Sequence, residues 1–144
     1  LMNDIKCIAY GYNQIHHQNV CFLTFPKDSG PGCGMILDNQ LIDGNNGVAG
    51  EIAYLPLFDF LKKREFDNSL EKIIQVVATT IVMYNPHLLI LTGENIKEDD
   101  LDAIQKGCLN YVPNHFMPSL KYQENCEDYY FQGLEGQIIK RIQF

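Results

Sequence analysis

Glu51 follows Gly44-Asn45-Asn46-Gly47-Val48-Ala49-Gly50 and opens an apolar run that begins Ile52-Ala53-Tyr54. Glycine and asparagine at that density make a turn. A rigid turn that ends in a carboxylate can present one acid into a cleft. Asp4 is a second acid at a structural boundary. It precedes Ile5, Ile8, Ala9, Tyr12 and Ile15, whose rough 3–4 spacing is one face of a helix, so Asn3 or Asp4 can cap that helix.

Other chemistry-bearing residues point elsewhere. Cys7, Cys21, Cys33, Cys108 and Cys126 are odd in number and far apart, with no CxxC or CxC pair, so a cysteine-rich zinc site is not expected. They read as buried free thiols of a cytosolic protein. His16 and His17 point about 100° apart on a helix and fit a solvated helix end rather than a chelate. Glu98-Asp99-Asp100 suits a helix start, where the dipole favours negative charge. No Ser-His-Asp or Cys-His arrangement follows from spacing.

The 144 residues fit one domain with a substantial core. A net charge of −7 argues against a broad electrostatic grip on nucleic acid by this domain. No apolar run reaches the roughly 20 residues that cross a membrane, and no signal peptide is visible.

The elements that must position these acids read as follows. A helix runs from residue 4 to about 17. Val20 to Phe25 is a buried strand, and residues 26–32 are a loop by composition. Cys33 to Leu37 is a second strand. A turn at Asp38-Asn39 and a short strand at residues 40–42 complete a β-meander. The glycine-rich loop at 44–50 follows, and residues 52–60, interrupted by Pro56, have no clear assignment. Asp67 to Tyr84 is the clearest helix, capped by Asp67, Asn68 or Ser69, with Leu70, Ile73, Ile74, Val77, Ile81 and Val82 on one face. Asn85-Pro86 stops it. A buried strand at 87–92, a helix from about 97 to 111, a short strand at 119–122 and a last helix from about 130 to 142 complete an α/β fold with a mixed sheet flanked by helices.

Several motifs in order resemble the ROK family (repressor, open reading frame, kinase). Asn3-Asp4-x-x-x-x-Ala9-x-Gly11 resembles its NDxNxAAxGE segment, and Val20 to Leu41 its strand, phosphate loop, strand and turn. Gly44 to Tyr54 resembles its GxxGxAGExGH sugar motif. Asn85 to Gly93 resembles its NPexIvlGG strand, and Gly133-Leu134-Glu135-Gly136 sits where the family closes with GxxGAA. The resemblance implies an actin/hexokinase-like (ribonuclease H-like) lobe. Residues 1–144 would be a single domain, the C-terminal lobe of a ROK-type protein. The amino-terminal lobe and any DNA-binding winged helix would lie outside this chain.

The resemblance also implies roles. In a kinase of the family the residue matching Asp4 is the general base that takes a proton from the attacking sugar hydroxyl. Asn3 would touch the same sugar. Glu51 would accept sugar hydroxyls, two at once for a vicinal diol, with Asn46 supporting the loop or touching the ligand. Tyr54 stands in the sugar site where family kinases carry a zinc-ligating histidine, and no cysteine or histidine follows it from Leu55 to Phe66, so no zinc or other metal is expected. The segment from Phe58 to Asn68 reads as a shortened replacement for the zinc segment. Gly30, Gly32 and Gly34 are the phosphate-loop glycines, where backbone amides can approach an anion. Pro26 and Pro31 lack N–H donors, Asp28 repels a nucleotide, and Lys27 partly offsets it. Glu94 replaces the second glycine on the adenosine side.

The expected function is therefore a non-catalytic domain of a ROK-type transcriptional regulator that binds a small sugar or sugar-phosphate effector and forms a homo-oligomer, a dimer in the simplest case, in the cytoplasm. The alternative is an ATP-dependent sugar kinase acting on a hexose or N-acetylhexosamine, with ATP and magnesium as cofactors and Asp4 as the catalytic base.

Overall fold

The structure, a computed structural model, describes residues 3–63 and 67–142. Part of the shortened 58–68 segment, residues 64–66, lies outside the described residues.

Helix α1 (Asp4–His16) starts where Asn3 caps it. The Asn3 side chain accepts from the Lys6 amide at 2.9 Å, satisfying one of the orphan donors of the first turn. Asp4 is then the first helical residue, an acid favourable to the dipole. His17 ends the helix in the left-handed region at φ 52°. Strands β1 (Val20–Thr24), β2 (Gly32–Leu37) and β3 (Gln40–Leu41) form the expected antiparallel meander. Asp38 and Asn39, both at positive φ, make the two-residue turn that matches strand twist.

The uncertain segment after the glycine loop resolves into two 3-10 turns, Ile52–Tyr54 and Pro56–Phe58, followed by a single helical turn, α2 (Phe60–Lys63). Pro56 opens the second turn, where its missing N–H costs nothing. Helix α3 (Leu70–Tyr84) is capped by Ser69, one of the three expected candidates, and Asn85 stops it at φ 45°. Strand β4 (Leu88–Thr92) begins one residue after His87. The expected helix at 97–111 is a 3-10 turn, Glu98–Asp100, that runs into α4 (Leu101–Cys108). Strand β5 (Ser119–Tyr122) has the expected bounds, and α5 (Glu127–Ile142) starts three residues earlier than expected. The Asn125 side chain accepts from the Glu127 amide and opens α5 there.

The sheet order is β3-β2-β1-β4-β5, with β1, β4 and β5 parallel. Period-2 alternation splits the core into two layers. Cys21, Leu23, Phe25, Leu89 and Leu91 face α3 and α4, while Val20, Phe22, Ile36, Leu88 and Ile90 face α1. α3 is apolar nearly all round, so sequence spacing misplaced part of its face. Ile73, Val77 and Ile81 are buried as expected, with Val76 and Thr80, but Val82 is 60% exposed.

α1 and α5 cross at backbone contact. A Cβ on Gly11 would collide with the Tyr129 carbonyl, and one on Gly133 with the Cys7 carbonyl. Gly133 of the closing motif is thus a packing glycine, which sets α5 on α1.

Candidate functional site

Ile5 lies against Gly32 and Thr24, so the start of α1 reaches the carboxyl ends of the parallel strands. Gly34, one ladder step along, sits so close to the Ile5 carbonyl that a side chain there would displace the helix. This close approach fixes where Asn3 and Asp4 stand. Both are exposed.

The glycine-rich loop meets them from the β2 side. Gly44, Gly47 and Gly50 have φ of 80°, 81° and 89°, which only glycine adopts without strain. Gly50 packs on the Cys33 carbonyl, where a Cβ would approach to 2.8 Å. The loop closes on itself through the Ala49 amide to the Asp43 carbonyl at 3.2 Å and the Ile52 amide to the Gly50 carbonyl at 2.7 Å. Glu51 then emerges exposed, and its Oε1 accepts from Asn3 Nδ2 at 3.3 Å. The structure therefore brings Asn3 and Glu51 together, beside Asp4 in the sequence and at the foot of the loop that carries Asn46. Asn46 is exposed.

A residue that sequence reasoning missed holds this wall in place. Lys6 buries its side chain to 3% exposure and donates from Nζ to Asp43 Oδ1 at 2.8 Å and to the Gly47 carbonyl at 2.8 Å. Asp43 is 54% exposed, so water shares its charge while the ammonium is taken out of solvent. The tether joins the first turn of α1 to both ends of the loop's first half. Its one sequence signal is a lysine on the buried side of an amphipathic helix, between Ile5 and Ala9.

Tyr54 is 60% exposed and meets Phe60 edge to face, with ring centroids 5.8 Å apart. It closes the 3-10 turn that follows Glu51 and offers neither nitrogen nor thiolate to a metal. Among the described residues, no group of three or more His, Cys, Asp or Glu side chains is placed to hold a metal ion.

The three phosphate-loop glycines differ in position. Gly32 and Gly34 belong to β2, opposite Thr24 and Phe22. The Phe25 amide reaches across to the Thr92 carbonyl on β4. By ladder alternation, Thr24 and Phe22 therefore face β2 and engage the amides of Gly32 and Gly34. Gly30 alone stands in the loop itself. The Pro26 carbonyl takes the Asn95 side chain at 2.9 Å and the Asn68 side chain at 3.3 Å, which ties the loop back to the body of the fold.

A cleft of about 480 Å³ lies beyond the ends of β1, β4 and β5, where Thr24 and Thr92 are cross-strand partners. Open α/β sheets bind ligands at such strand ends. Its walls include Glu94, Lys97, Tyr122, Glu124 and Cys126. Burial, then the carboxylates of Glu124 and Glu98, push the Tyr122 hydroxyl above its ordinary range. Burial raises the Cys126 thiol, opposed by its hydrogen bond to Thr92 Oγ1.

The family model described as ROK family matches residues 1–64. No curated protein matches the chain. A ROK family protein from Streptococcus pneumoniae TIGR4, in complex with sucrose, superposes with a TM-score of 0.67 at 13% identity, over 99% of this chain and 66% of that one. A ROK family glucokinase from Streptomyces griseus, in complex with glucose and AMPPNP, gives 0.62 at 16% identity, over 94% and 66%. A ROK family transcriptional regulator, a homolog of the E. coli MLC protein, gives 0.54 at 14% identity, over 98% and 54%. The chain thus spans just under two thirds of the first two and about half of the third. Among the described residues, no helix is long and apolar enough to cross a membrane. Residues 1–64 carry the ROK family pattern, and the chain as a whole has the actin/hexokinase-like α/β fold of the ROK structures it matches.

Proposed function

We propose that this chain is a sugar-binding lobe of a ROK-type protein that has set aside phosphoryl transfer, and that it serves as the effector-binding and oligomerising part of a transcriptional regulator. The observation that carries the reading is the Asn3–Glu51 contact at 3.3 Å, held by the Lys6 tether beneath it. An amide and a carboxylate at hydrogen-bond reach suit a pair of sugar hydroxyls. Two solved ROK structures contain sucrose and glucose, which supports a small sugar as the ligand.

The nucleotide side supports the same reading. Polyphosphate binding needs free backbone amides, and the loop between β1 and β2 has prolines at 26 and 31, an aspartate at 28, and glycines 32 and 34 in the ladder. These residues do not fit ATP, and Tyr54 with Phe60 does not fit zinc. In this reading Asp4 transfers no proton; it lends charge to the sugar wall.

A kinase reading is favoured by one observation: Asp4 stands exposed in the first turn of α1 beside Asn3, where a general base would meet a sugar hydroxyl. A sugar panel decides between them. The sugar-binding reading expects a rise in melting temperature with at least one hexose, pentose or N-acetylhexosamine, no further rise with ATP and magnesium, and no sugar phosphate formed. ATP-dependent phosphorylation overturns it in favour of the kinase. The absence of any sugar-dependent shift overturns both.

A further inference from the structure

We propose that Cys33 is an oxidation site: hydrogen peroxide reaches it through the pocket between the glycine-rich loop and α3, and Cys21 then closes on it as a disulfide that displaces the loop. The proposal does not rest on the sugar-binding reading.

The pairing comes from the sheet. Cys21 on β1 and Cys33 on β2 point into the same core layer, with their sulfurs 3.8 Å apart. Each of the other three thiols donates to an oxygen: Cys7 to the Tyr130 carbonyl, Cys108 to the Ile74 carbonyl and Cys126 to Thr92 Oγ1. Cys21 and Cys33 meet thiol to thiol. The hydrogen bond to Cys33, then burial, push the Cys21 thiol well above its ordinary range, so Cys21 keeps its proton.

Access is through Cys33. Cys21 is fully buried, whereas Cys33 lines a pocket of about 220 Å³ whose walls include Gly50, Glu51, Ile52 and Thr79. Peroxide, with two heavy atoms, fits that space; an aromatic disulfide reagent is far larger and is excluded from the folded chain. A second void of about 10 Å³ lies between Cys33, Met35, Ala49 and Gly50. It has room for one added oxygen atom.

The chemistry takes two steps. Cys33, as thiolate, attacks one peroxide oxygen; an S–O bond forms, the O–O bond breaks and hydroxide leaves. The Cys21 sulfur then attacks the sulfur of the Cys33 sulfenic acid. An S–S bond forms, the S–O bond breaks, and the departing hydroxide takes the Cys21 proton as water. Two thiols are oxidised by two electrons, and one peroxide is reduced to two waters.

The bond changes the structure because of where it falls in the ladder. Cys21 stands opposite Met35, and Cys33 opposite Leu23, so the pair is diagonal. Diagonal neighbours sit about 7–8 Å apart, whereas bridged Cα atoms are usually about 4.4–6.8 Å apart. The sulfurs must also close from 3.8 Å to about 2 Å. One strand has to move. β1 is paired on both sides, to β2 and β4, while β2 has the two-residue β3 on its outer side. β2 is therefore the strand that shifts. Gly50 packs on the Cys33 carbonyl, so the loop follows and carries Glu51 with it. A bridge across this diagonal is strained, and strained bridges are the ones that thiols readily reduce.

Treatment of the folded 144-residue chain with hydrogen peroxide, then alkylation, digestion and mass spectrometry, tests this. A Cys21–Cys33 cross-link is expected, reversed by dithiothreitol. It should form at least about tenfold faster than oxidation of Cys108, which is as deeply buried but has a carbonyl for its partner. Amide NMR of the oxidised chain should show Gly50 and Glu51 shifted, and both restored on reduction. Cys21→Ala removes the resolving thiol, so dimedone should trap a sulfenic acid at Cys33; in Cys33→Ala neither the adduct nor the cross-link should form. Cys21 and Cys33 that stay reduced while Cys126 is oxidised overturn the proposal, as does a cross-link that appears only after unfolding in urea. A wild-type sulfenic acid at Cys33 that never closes on Cys21 overturns the pairing. A cross-link that leaves Gly50 and Glu51 unmoved overturns the coupling to the loop.

Discussion

Asn3 Nδ2 lies 3.3 Å from Glu51 Oε1 although the residues are 48 positions apart. Asn3 has two jobs in this arrangement, as helix cap through Oδ1 and as partner of Glu51 through Nδ2. Substitution separates them. Asn3→Asp keeps a good cap and adds a charge that the helix dipole favours, so folding stability measured in urea should stay within about 0.5 kcal/mol of wild type near pH 7. It also sets a second carboxylate against Glu51, so sugar affinity should fall roughly tenfold or more. Asn3→Ala should cost about 1 kcal/mol of stability and lose affinity as well. Unchanged sugar affinity in Asn3→Asp would show that this pair is not part of the binding wall.

The two ends of the Lys6–Asp43 bond are unequally buried, and the variants should be unequal too. Asp43→Asn leaves the buried ammonium with neutral amide oxygens to hold and no counter-charge, and should cost about 3 kcal/mol. Lys6→Met leaves a carboxylate that water already reaches, and a methionine that fits the buried stem; it should cost about 1–2 kcal/mol. Urea midpoints of the two variants check the order. A larger loss in Lys6→Met than in Asp43→Asn contradicts the view that burial of the ammonium dominates this contact.

The gap between sequence and structure follows from the range of the interactions involved. The meander was legible because strand alternation and the Asp38-Asn39 turn are local, and the cap at Asn3 and the stop at Asn85 are local as well. The glycine loop and Glu51 were legible for the same reason. Lys6 was not, because its partners Asp43 and Gly47 are 37 and 41 residues away and nothing in the helix sequence names them. The face of α3 was read only in part, since a helix apolar on most sides gives spacing little to discriminate. Gly32 reads as a loop glycine by composition and Gly34 as a phosphate-loop glycine by resemblance, although Gly34 already falls in the expected strand from Cys33 to Leu37; the pairing of β1 with β2 draws both into the sheet. The early start of α5 depends on one side-chain contact, from Asn125 to Glu127.

Glycines at the α1–α5 crossing and in the loop carry different costs. Gly11→Ala and Gly133→Ala push a methyl into backbone of the opposing helix, which cannot move aside like a side chain. Each should cost at least about 3 kcal/mol and speed amide exchange throughout α5. A methyl at Gly47 would meet no atom of the described residues within 4 Å, so Gly47→Ala should cost only about 1 kcal/mol, from its φ of 81°. Thermal melts and hydrogen exchange read both. Wild-type exchange in α5 of Gly133→Ala would contradict the crossing.

Burial pushes the Cys108 thiol from an ordinary value near 9 up to about 11. The unfolded chain ionises this thiol first, so between pH 9 and about 11 the unfolded state holds fewer protons than the native one, and stability falls as pH rises. The contribution is fully present below pH 9 and amounts to about 2 kcal/mol. Cys108→Ala should flatten the alkaline limb of the stability curve. The same burial should leave Cys126, the half-buried thiol, as the first to react with a disulfide reagent, with Cys21, Cys33 and Cys108 reacting only on unfolding.

The central claim is that the wall made by the start of α1 and the glycine-rich loop holds a sugar. At 16.5 kDa the chain suits amide-resolved NMR, and a titration with the sugars that raise its melting temperature tests the claim residue by residue. The account predicts shifts centred on Asn46, Gly47, Gly50 and Glu51 and on the first turn of α1 from Asn3 to Lys6, with Glu51→Gln abolishing them and ATP with magnesium producing none along residues 27–34. Sugar-induced shifts confined to the strand-end cleft around Thr92 and Tyr122, or nucleotide-induced shifts along the loop between β1 and β2, would contradict it.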